Sequence, residues 1–144
     1  ESRSPVTQGK LINLDRSSVE IKTYNYSQDS LVASSTQSVS ERLVTNIFRS
    51  LCPVTSQPDW ASVLIEYTGF QINHDGLLEY LVSYRNHQAF HETTIEKIFA
   101  DIQSHCNPEE LIVYGRFLRR GGIDINPFRS SHDAEPPAFV DWRQ

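Results

Sequence analysis

A thiol and a carboxylate that could act together, Cys52 and Asp59, share the stretch 51–60. Pro53 and Pro58 fix the backbone φ angle within this stretch and remove two amide donors. Each proline also biases the residue before it towards an extended conformation. The sequence therefore predicts a stiff turn, neither a helix nor a central strand, that holds the thiol and the acid in a fixed relation. Such a pairing favours a reactive centre, because a thiol reacts when its pKa is lowered or when an acid or base lies beside it.

Structural roles for the same two residues stay open at this point. Free cysteines are commonly buried as small hydrophobic residues, and an aspartate in a turn is often only a capping residue. Cys106, which follows a predicted helix just before Asn107-Pro108, is interpreted as a structural cysteine.

Two further groups of polar residues could bind a ligand. His91 and Glu92 lie at the start of a predicted helical stretch, where a glutamate is either solvated and favoured by the helix dipole or a two-oxygen acceptor for the N–H pair of a guanine-like base. The basic turn Arg119-Arg120-Gly121-Gly122 is either solvated or able to bind phosphate through guanidinium and backbone N–H groups. His87 and His91 have no third ligand near them in sequence, so no metal site is predicted.

Composition narrows the class of protein. The 144 residues, with 38% hydrophobic and 22% charged side chains, fit one globular domain. No apolar run is long enough to span a membrane, and a net charge of −5 argues against broad binding to nucleic acid. Two cysteines make no disulfide framework, which predicts a cytoplasmic setting. A chain that begins with Glu1 and contains no methionine is expected to be part of a longer protein.

The hydrophobic pattern predicts the elements that must position these side chains. An extended segment is predicted over 11–26 and an irregular loop over the Ser-, Thr- and Gln-rich run 27–40. Residues 40–51 fit either helical spacing or one face of a strand, and Thr45, Phe48 and Pro53 favour the strand. Alternation predicts strands over 61–72 and 111–118, and a further strand is predicted over 123–128. Helical spacing occupies 77–105 with a break over 85–90, after a capping turn at Asn73-His74-Asp75-Gly76.

The order strand, strand, helices, strand, strand indicates an α+β domain, an antiparallel sheet with two helices packed on one face. The predicted organisation is an N-terminal segment with one strand over 1–40, a catalytic module over 41–130 and a C-terminal tail over 131–144.

Three motifs occur together in this order: Cys52 to Trp60, Ser83 to His87 with Phe90-His91-Glu92, and Arg119 to Pro127. Over about 43–130 they resemble the NADPH-dependent 7-cyano-7-deazaguanine reductases, the nitrile reductases of queuosine biosynthesis. The resemblance implies the tunnelling fold (T-fold) shared with GTP cyclohydrolase I. It also implies a substrate, 7-cyano-7-deazaguanine, and NADPH as the hydride donor.

The resemblance implies roles for individual residues. Cys52 would add to the nitrile and form a covalent thioimide, and Asp59 would protonate the nitrogen. His91 and Glu92 would hold the deazaguanine. Arg120 and Gly121 would contact NADPH, and two hydride transfers would give the aminomethyl product. A general acid in this role is expected to be at least partly buried.

One stretch departs from the family. Single-module members carry Glu-Ser-Lys-Ser at the start of the first helix, where Asn73-His74-Asp75-Gly76 stands here. Two-module members place that motif in an N-terminal half and the cysteine in a C-terminal half. The chain is therefore expected to be such a C-terminal half, to need the N-terminal module for a complete site, and to form a homodimer or higher oligomer.

Other functions remain possible on the sequence alone. A non-catalytic purine- or pterin-binding module of the same fold would keep Glu92 but would need neither Cys52 nor Asp59. A cyclohydrolase-like protein would need a zinc set that is not evident. A thiol hydrolase using Cys52 and His91 would leave the Arg-Gly-Gly turn unexplained. No direct nucleic-acid partner is predicted.

Overall fold

A five-stranded sheet forms the framework of the protein, and a computed structural model describes residues 11–16, 26–118 and 125–132. Its strands are β1 (Leu11–Asn13), β2 (Ala33–Leu51), β3 (Pro58–Ile72), β4 (Glu110–Phe117) and β5 (Phe128–Ser130), in the order β1-β2-β3-β4-β5. The neighbouring strands are antiparallel except β1 and β2, which are parallel. The predicted α+β class and the predicted order of strands and helices along the chain are confirmed.

Two helices follow β3 with the predicted break between them. They are α1 (His74–Val82) and α2 (His91–Cys106), separated by a 3₁₀ turn, Ser83–Asn86. The Asn73 side chain accepts a hydrogen bond from the Gly76 N–H at 2.7 Å, so the predicted N-cap is confirmed. Asn107 ends α2 in the left-handed region at φ 46°, and the proline after it cannot continue the helix.

The core lies between the helices and one face of the sheet. Alternation along β2, β3 and β4 directs buried apolar side chains to this face, where they join buried residues of both helices. Gly115 of β4 lets α2 approach closely, since a Cβ at this position would lie 2.7 Å from the Ile95 Cδ1. The N-terminal end of α2 is thereby held near the end of β4.

Two sequence predictions about the regions of β2 and β3 are wrong in extent. Residues 33–40 were expected in a loop but belong to β2. An exposed strand can form without apolar alternation when a neighbouring strand supplies backbone hydrogen bonds, as β3 does here. The Ser40 and Thr68 hydroxyl groups also share a hydrogen bond of 2.9 Å. The stiff turn covers only part of the stretch 51–60, because Pro58 is the first residue of β3, a position where proline is tolerated.

The two ends of the described region also differ from expectation. The strand predicted over 123–128 is only β5, which starts at Phe128, since Pro127 removes a ladder donor; residues 123–124 lie outside the described part. The segment predicted over 11–26 contains β1 and then a 3₁₀ turn, in which Asp15 accepts from the Asn46 N–H at 2.7 Å. The predicted domain limits stay predictions, although β2 continues across position 40.

The partly buried Tyr26 and the buried Tyr80 and Tyr84 connect the chain before β2 to both helices. The Tyr26 and Tyr80 hydroxyl groups each donate to the Asp101 Oδ2 at 2.6 Å. The Tyr80 and Tyr84 hydroxyl groups are 2.7 Å apart. Burial raises the pKa of Tyr80 above its usual value, so its hydroxyl group remains a donor to the carboxylate.

His87 packs against this group and is expected to make the fold sensitive to acid. Its ring lies 5.6 Å from the Tyr26 ring and 5.3 Å from the Tyr84 ring, centroid to centroid. Burial lowers the pKa of His87 from its usual value, and the Lys97 charge acts in the same direction. The unfolded chain therefore takes up this proton more readily than the folded one, so stability is lost as the pH falls below about 6.5.

Urea unfolding measured between pH 7.5 and pH 5.5 tests this expectation. In His87→Phe, which keeps an aromatic ring without a titrating group, the unfolding free energy is expected to fall less across this range than in the unsubstituted chain. An equal fall in both proteins would show that His87 does not cause the acid sensitivity.

Candidate functional site

Cys52 begins a tight turn between β2 and β3. Leu51 and Pro58 form the last register pair of the two strands. The Cys52 N–H donates to the Gln57 carbonyl and the Ser56 N–H donates to the Cys52 carbonyl, both at 2.9 Å. Ser56 adopts φ 60°, in the left-handed region, which lets the chain reverse within 52–57. The stiff turn predicted from the two prolines is therefore present in this shorter segment.

The environment of the Cys52 thiol favours its ionised form. The pKa of Cys52 is lowered from its usual value, first by the nearby Thr55 backbone N–H, then by the Thr55 hydroxyl group and then by the Val54 N–H. The negative charge of Asp59 acts against them. Cys106 differs, because burial raises its pKa to about 11. Of the two free cysteines, Cys52 is thus the one suited to act as a nucleophile.

Asp59 lies next to the turn and is paired with a histidine. Its side chain is 5% exposed, and its Oδ2 lies 3.1 Å from the Nε2 of His91. The His91 ring stacks on Phe117 of β4 with centroids 3.9 Å apart and an interplanar angle of 8°. The other ring nitrogen, Nδ1, is buried without a hydrogen-bond partner in the described part of the chain. The burial expected for the acid is observed, and the imidazole is oriented by both contacts.

Hydrogen bonds hold the segment before α2 against the end of β2 and the turn 52–57. The Leu51 N–H donates to the His87 carbonyl at 2.9 Å, and the Ala89 N–H donates to the Leu51 carbonyl at 3.1 Å. The Gln88 side chain donates to the Ser56 hydroxyl group at 2.9 Å. These bonds hold the segment before α2 along the last residue of β2, immediately before Cys52.

The residues converge on one cavity of about 200 Å³. Its lining comprises Cys52, Pro53, Asp59, Phe90, His91, Glu92, Leu118 and Ile125. The structure thus brings together the catalytic pair and the substrate-binding pair predicted from sequence.

Apolar residues to which the sequence analysis assigned no role complete the cavity. Phe90 and Leu118 are 58% and 53% exposed, respectively, at its rim. Phe90 could have been recognised as an apolar residue directly before the helix that carries His91. Leu118 and Phe117 could not, because they reach the site through the pairing of β3 with β4.

The predicted NADPH-contacting residues, Arg120 and Gly121, lie outside the described residues. The chain on either side of 119–124 reaches the cavity, since Leu118 and Ile125 both line it. The Phe117 N–H donates to the Ile125 carbonyl at 3.4 Å, which joins the two sides.

A larger cavity of about 500 Å³ lies at the start of α1, at the opposite end of the β2–β3 pair. It is lined by residues 32–34 and 71–75, which include no thiol. His74 Nε2 lies 2.9 Å from Glu41 Oε2, and the Tyr67 hydroxyl group donates to the same carboxylate at 2.6 Å. Because Cys52 and Asp59 are absent from this cavity, we assign the candidate site to the smaller one.

The described part of the chain contains neither a metal-binding cluster nor a membrane-spanning helix. Within 11–16, 26–118 and 125–132, no cluster of three or more His, Cys, Asp or Glu residues has a geometry suited to a metal ion. None of the described helices has the length and apolar character needed to cross a membrane.

Comparison with known proteins identifies similar chains. The family model described as "QueF-like protein" matches residues 58–136. A relative from Buchnera aphidicola subsp. Schizaphis graminum, named NADPH-dependent 7-cyano-7-deazaguanine reductase, is 52% identical over 126 residues, covering 87% of this chain and 48% of that protein. One from Legionella pneumophila (strain Paris), with the same name, is 54% identical over 128 residues, covering 89% and 44%. The chain spans about half the length of these relatives.

A solved structure supports the fold. The crystal structure of the archaeosine synthase QueF-Like in the apo form matches with a TM-score of 0.58 at 18% identity, covering 71% of this chain and all of that one. At this identity the likeness concerns the fold alone, and it confirms the predicted T-fold.

Phe117 is expected to be the main packing residue under the site. Replacing this buried side chain in Phe117→Ala leaves a cavity and removes the surface on which the His91 ring stacks. We expect the free energy of unfolding to fall by about 3–5 kcal/mol. Leu118→Ala is the matched control, since Leu118 is 53% exposed and its loss is expected to cost less than about 1 kcal/mol. Urea unfolding measures both, and equal losses would contradict this assignment.

Proposed function

The chain belongs to the family of QueF-like proteins, and on that premise we propose that it carries the thiol–acid centre of an NADPH-dependent 7-cyano-7-deazaguanine reductase. The reaction converts the nitrile of 7-cyano-7-deazaguanine to an aminomethyl group in queuosine biosynthesis. The observation that carries the proposal is the cavity shared by Cys52, Asp59, His91 and Glu92. The relatives that this chain matches over about half of their length are named for the same reaction, which supports the proposal.

Cys52 begins the reaction in this proposal. A nitrile accepts hydride poorly, so the thiolate first adds to the nitrile carbon. A C–S bond forms, one C–N π pair moves to nitrogen, and Asp59 donates a proton to that nitrogen. The product is a thioimide, whose C=N bond accepts hydride more readily. Fixed placement of thiol and acid at the end of β2 and the start of β3 lowers the entropic cost of this step.

His91 assists Asp59 in proton transfer in this proposal. Its Nε2 lies 3.1 Å from the Asp59 Oδ2, so an imidazolium there can return a proton to the carboxylate once Asp59 has donated its own. We also propose that His91 and Glu92 bind the substrate, as the sequence predicts. Glu92 lies in the first turn of α2 and lines the cavity, where its carboxylate can accept two N–H bonds from the pyrimidine edge of the deazaguanine.

The surroundings of the cavity suit NADPH, which supplies hydride to the substrate carbon in two successive transfers when bound. Leu118 and Ile125 offer an apolar wall for a flat ring. They flank the stretch that contains Arg120 and Gly121, which we propose as NADPH contacts through guanidinium and backbone N–H groups. Between the transfers, Cys52 leaves as a thiolate and the substrate carbon becomes an imine.

A second protein module is expected to complete the site. The cavity of about 200 Å³ is small for a deazaguanine and a nicotinamide together. Its apolar rim is open, with Phe90 and Leu118 more than half exposed. The stretch Asn73-His74-Asp75-Gly76 lacks the lysine and glutamate of the single-module motif. We therefore propose that an N-terminal module supplies the remaining contacts, in a homodimer or higher oligomer in the cytoplasm.

Intact-mass spectrometry tests the covalent step. The chain combined with its N-terminal module is expected to gain the mass of 7-cyano-7-deazaguanine in the absence of NADPH, because the thioimide cannot then be reduced. Cys52→Ala should form no adduct, whereas the matched control Cys106→Ala should form it fully. An adduct that persists in Cys52→Ala, or none in the unsubstituted protein, would overturn the proposal.

NADPH oxidation tests the role of the acid. Asp59→Asn keeps the shape of the side chain but removes the proton donor, so the steady-state rate is expected to fall about 10²- to 10⁴-fold. Asp75→Asn, an exposed position at the start of α1, serves as the control and should retain the rate. A rate in Asp59→Asn within a few-fold of the unsubstituted protein would exclude general acid catalysis by Asp59.

A further inference from the structure

Two buried polar atoms at the start of α2 have no hydrogen-bond partner among the residues that the structure describes. One is the Nδ1 of His91 and the other is the Oγ1 of Thr94. The Thr94 residue is 0% exposed. A buried hydroxyl group without a partner destabilises a fold, and a valine of the same shape would avoid this cost. The hydroxyl group of Thr94 is therefore not explained by packing.

The contacts of His91 fix the direction of its Nδ1. Nε2 is held 3.1 Å from the Asp59 Oδ2, and the ring plane is held against Phe117 at an interplanar angle of 8°. Turning the ring over would keep the stack on Phe117 but would remove Nε2 from the carboxylate. Nδ1 therefore points away from Asp59, and its partner must lie elsewhere.

Thr94 lies one helical turn after His91 on α2. Residues three apart on a helix are neighbours on one face. Helical side chains also lean towards the N-terminus, which directs Thr94 back over the turn that carries His91. Because a threonine in a helix has two accessible χ1 rotamers, one change of rotamer can bring its hydroxyl group to Nδ1 without moving the helix.

Ser50 is the competing neighbour of this pair. Its hydroxyl group is also buried without a partner in the described segments, and it is in register with Asp59 across β2 and β3. Because Ser50 lies beside Asp59, it is on the Nε2 side of the imidazole. Thr94 is thus the better placed partner for Nδ1, and Ser50 offers a comparison.

We propose that Thr94 is a positioning residue whose hydroxyl oxygen accepts a hydrogen bond from the Nδ1–H of His91. This role rests on the proposed function, in which the His91 imidazolium returns a proton to Asp59. When Nε2 gives its proton to the carboxylate, the neutral imidazole that remains carries its hydrogen on Nδ1. A buried N–H needs an acceptor, and the Thr94 Oγ1 supplies one before and after the transfer.

The protons balance in this sequence of steps. Asp59 gives its proton to the nitrile nitrogen, and the Nε2 of His91 gives its own to the carboxylate. The positive charge of the imidazolium and the negative charge of the carboxylate are thereby removed together. Solvent returns a proton to Nε2 before the next transfer. Thr94 gains and loses no proton and touches no reacting atom, so it acts only through the orientation and the tautomer of His91.

Nitrogen-15 spectra of the histidine-labelled chain test the contact directly. The chain has 5 histidines, and His91→Gln identifies the signals of His91. We expect the unsubstituted chain to carry a hydrogen on Nδ1. Thr94→Val and Thr94→Ala should move His91 towards the tautomer with its hydrogen on Nε2 alone, because the Nδ1–H then loses its acceptor.

Three variants serve as controls for the spectra. Thr94→Ser keeps the hydroxyl group and should keep the original His91 signals. Thr93→Val changes the exposed neighbouring threonine of the same helix and is the matched control, which should also keep them. Ser50→Ala removes the competing hydroxyl group and should leave the tautomer of His91 unchanged.

Steady-state NADPH oxidation by the chain combined with its N-terminal module gives a second readout. In Thr94→Val we expect kcat to fall roughly ten- to hundred-fold, the size expected for losing one hydrogen bond to a charged group. The KM for 7-cyano-7-deazaguanine should stay within about two-fold, since Thr94 does not contact the substrate. Thr94→Ser should restore most of the rate, and Thr93→Val should retain all of it.

Unchanged His91 signals in Thr94→Val would overturn the proposal, as would a change in Ser50→Ala alone or a loss in Thr94→Ser equal to that in Thr94→Val. A raised KM with an unchanged kcat would assign Thr94 to substrate binding and would also overturn it. The spectra need neither substrate nor NADPH. They therefore decide whether Thr94 is the partner of His91 even if the unsubstituted protein reduces no nitrile and the proposed function fails.

Discussion

The main chain of Leu51 is held on two sides, and the geometry of the site depends on that constraint. On one side Leu51 is in register with Pro58, which closes the turn of Cys52. On the other side its amide and carbonyl bond to His87 and Ala89. A single residue thus links the strand that carries the thiol to the segment that leads into α2. Because backbone bonds make the link, the distance between nucleophile and helix does not rely on flexible side chains.

The Cys52 thiol and the Asp59 carboxyl group line the same cavity, and each is surrounded by different polar groups. A thiolate and a carboxylate destabilise each other when both are ionised at short range. The polar groups of the turn lower the pKa of Cys52, while Asp59 is buried and faces His91. Each group therefore has its own partners, which suits a sequence of steps in which the sulfur gains and loses charge while the acid gives up and regains a proton.

The sequence predicts the parts of this arrangement that depend on local spacing. The proline-flanked turn, the break between the helices, the N-cap at Asn73 and the order of the strands all follow from residue types a few positions apart. The full length of β2 does not, because its exposed Ser- and Thr-rich end lacks the alternation that marks a half-buried strand. There the pairing with β3, rather than the side-chain pattern, stabilises the strand.

The contacts between residues of different strands also could not be predicted from the sequence pattern. Phe117 stacks under His91 because β4 pairs with β3 and because Gly115 lets α2 come close. Neither relation leaves a pattern in the sequence around His91. The histidine was predicted as a substrate ligand, and its pairing with Asp59 appears only when α2 and β3 are folded together.

The central claim is that Cys52 and Asp59 act on the two ends of one nitrile. A crystal structure of the complete protein with 7-cyano-7-deazaguanine, in the absence of NADPH, tests it most directly. We predict continuous density from the Cys52 sulfur to the former nitrile carbon, with the attached nitrogen within hydrogen-bond distance of the Asp59 carboxyl group. A substrate bound in this cavity with its nitrile carbon unbonded to sulfur and its nitrogen directed away from Asp59 would contradict the account.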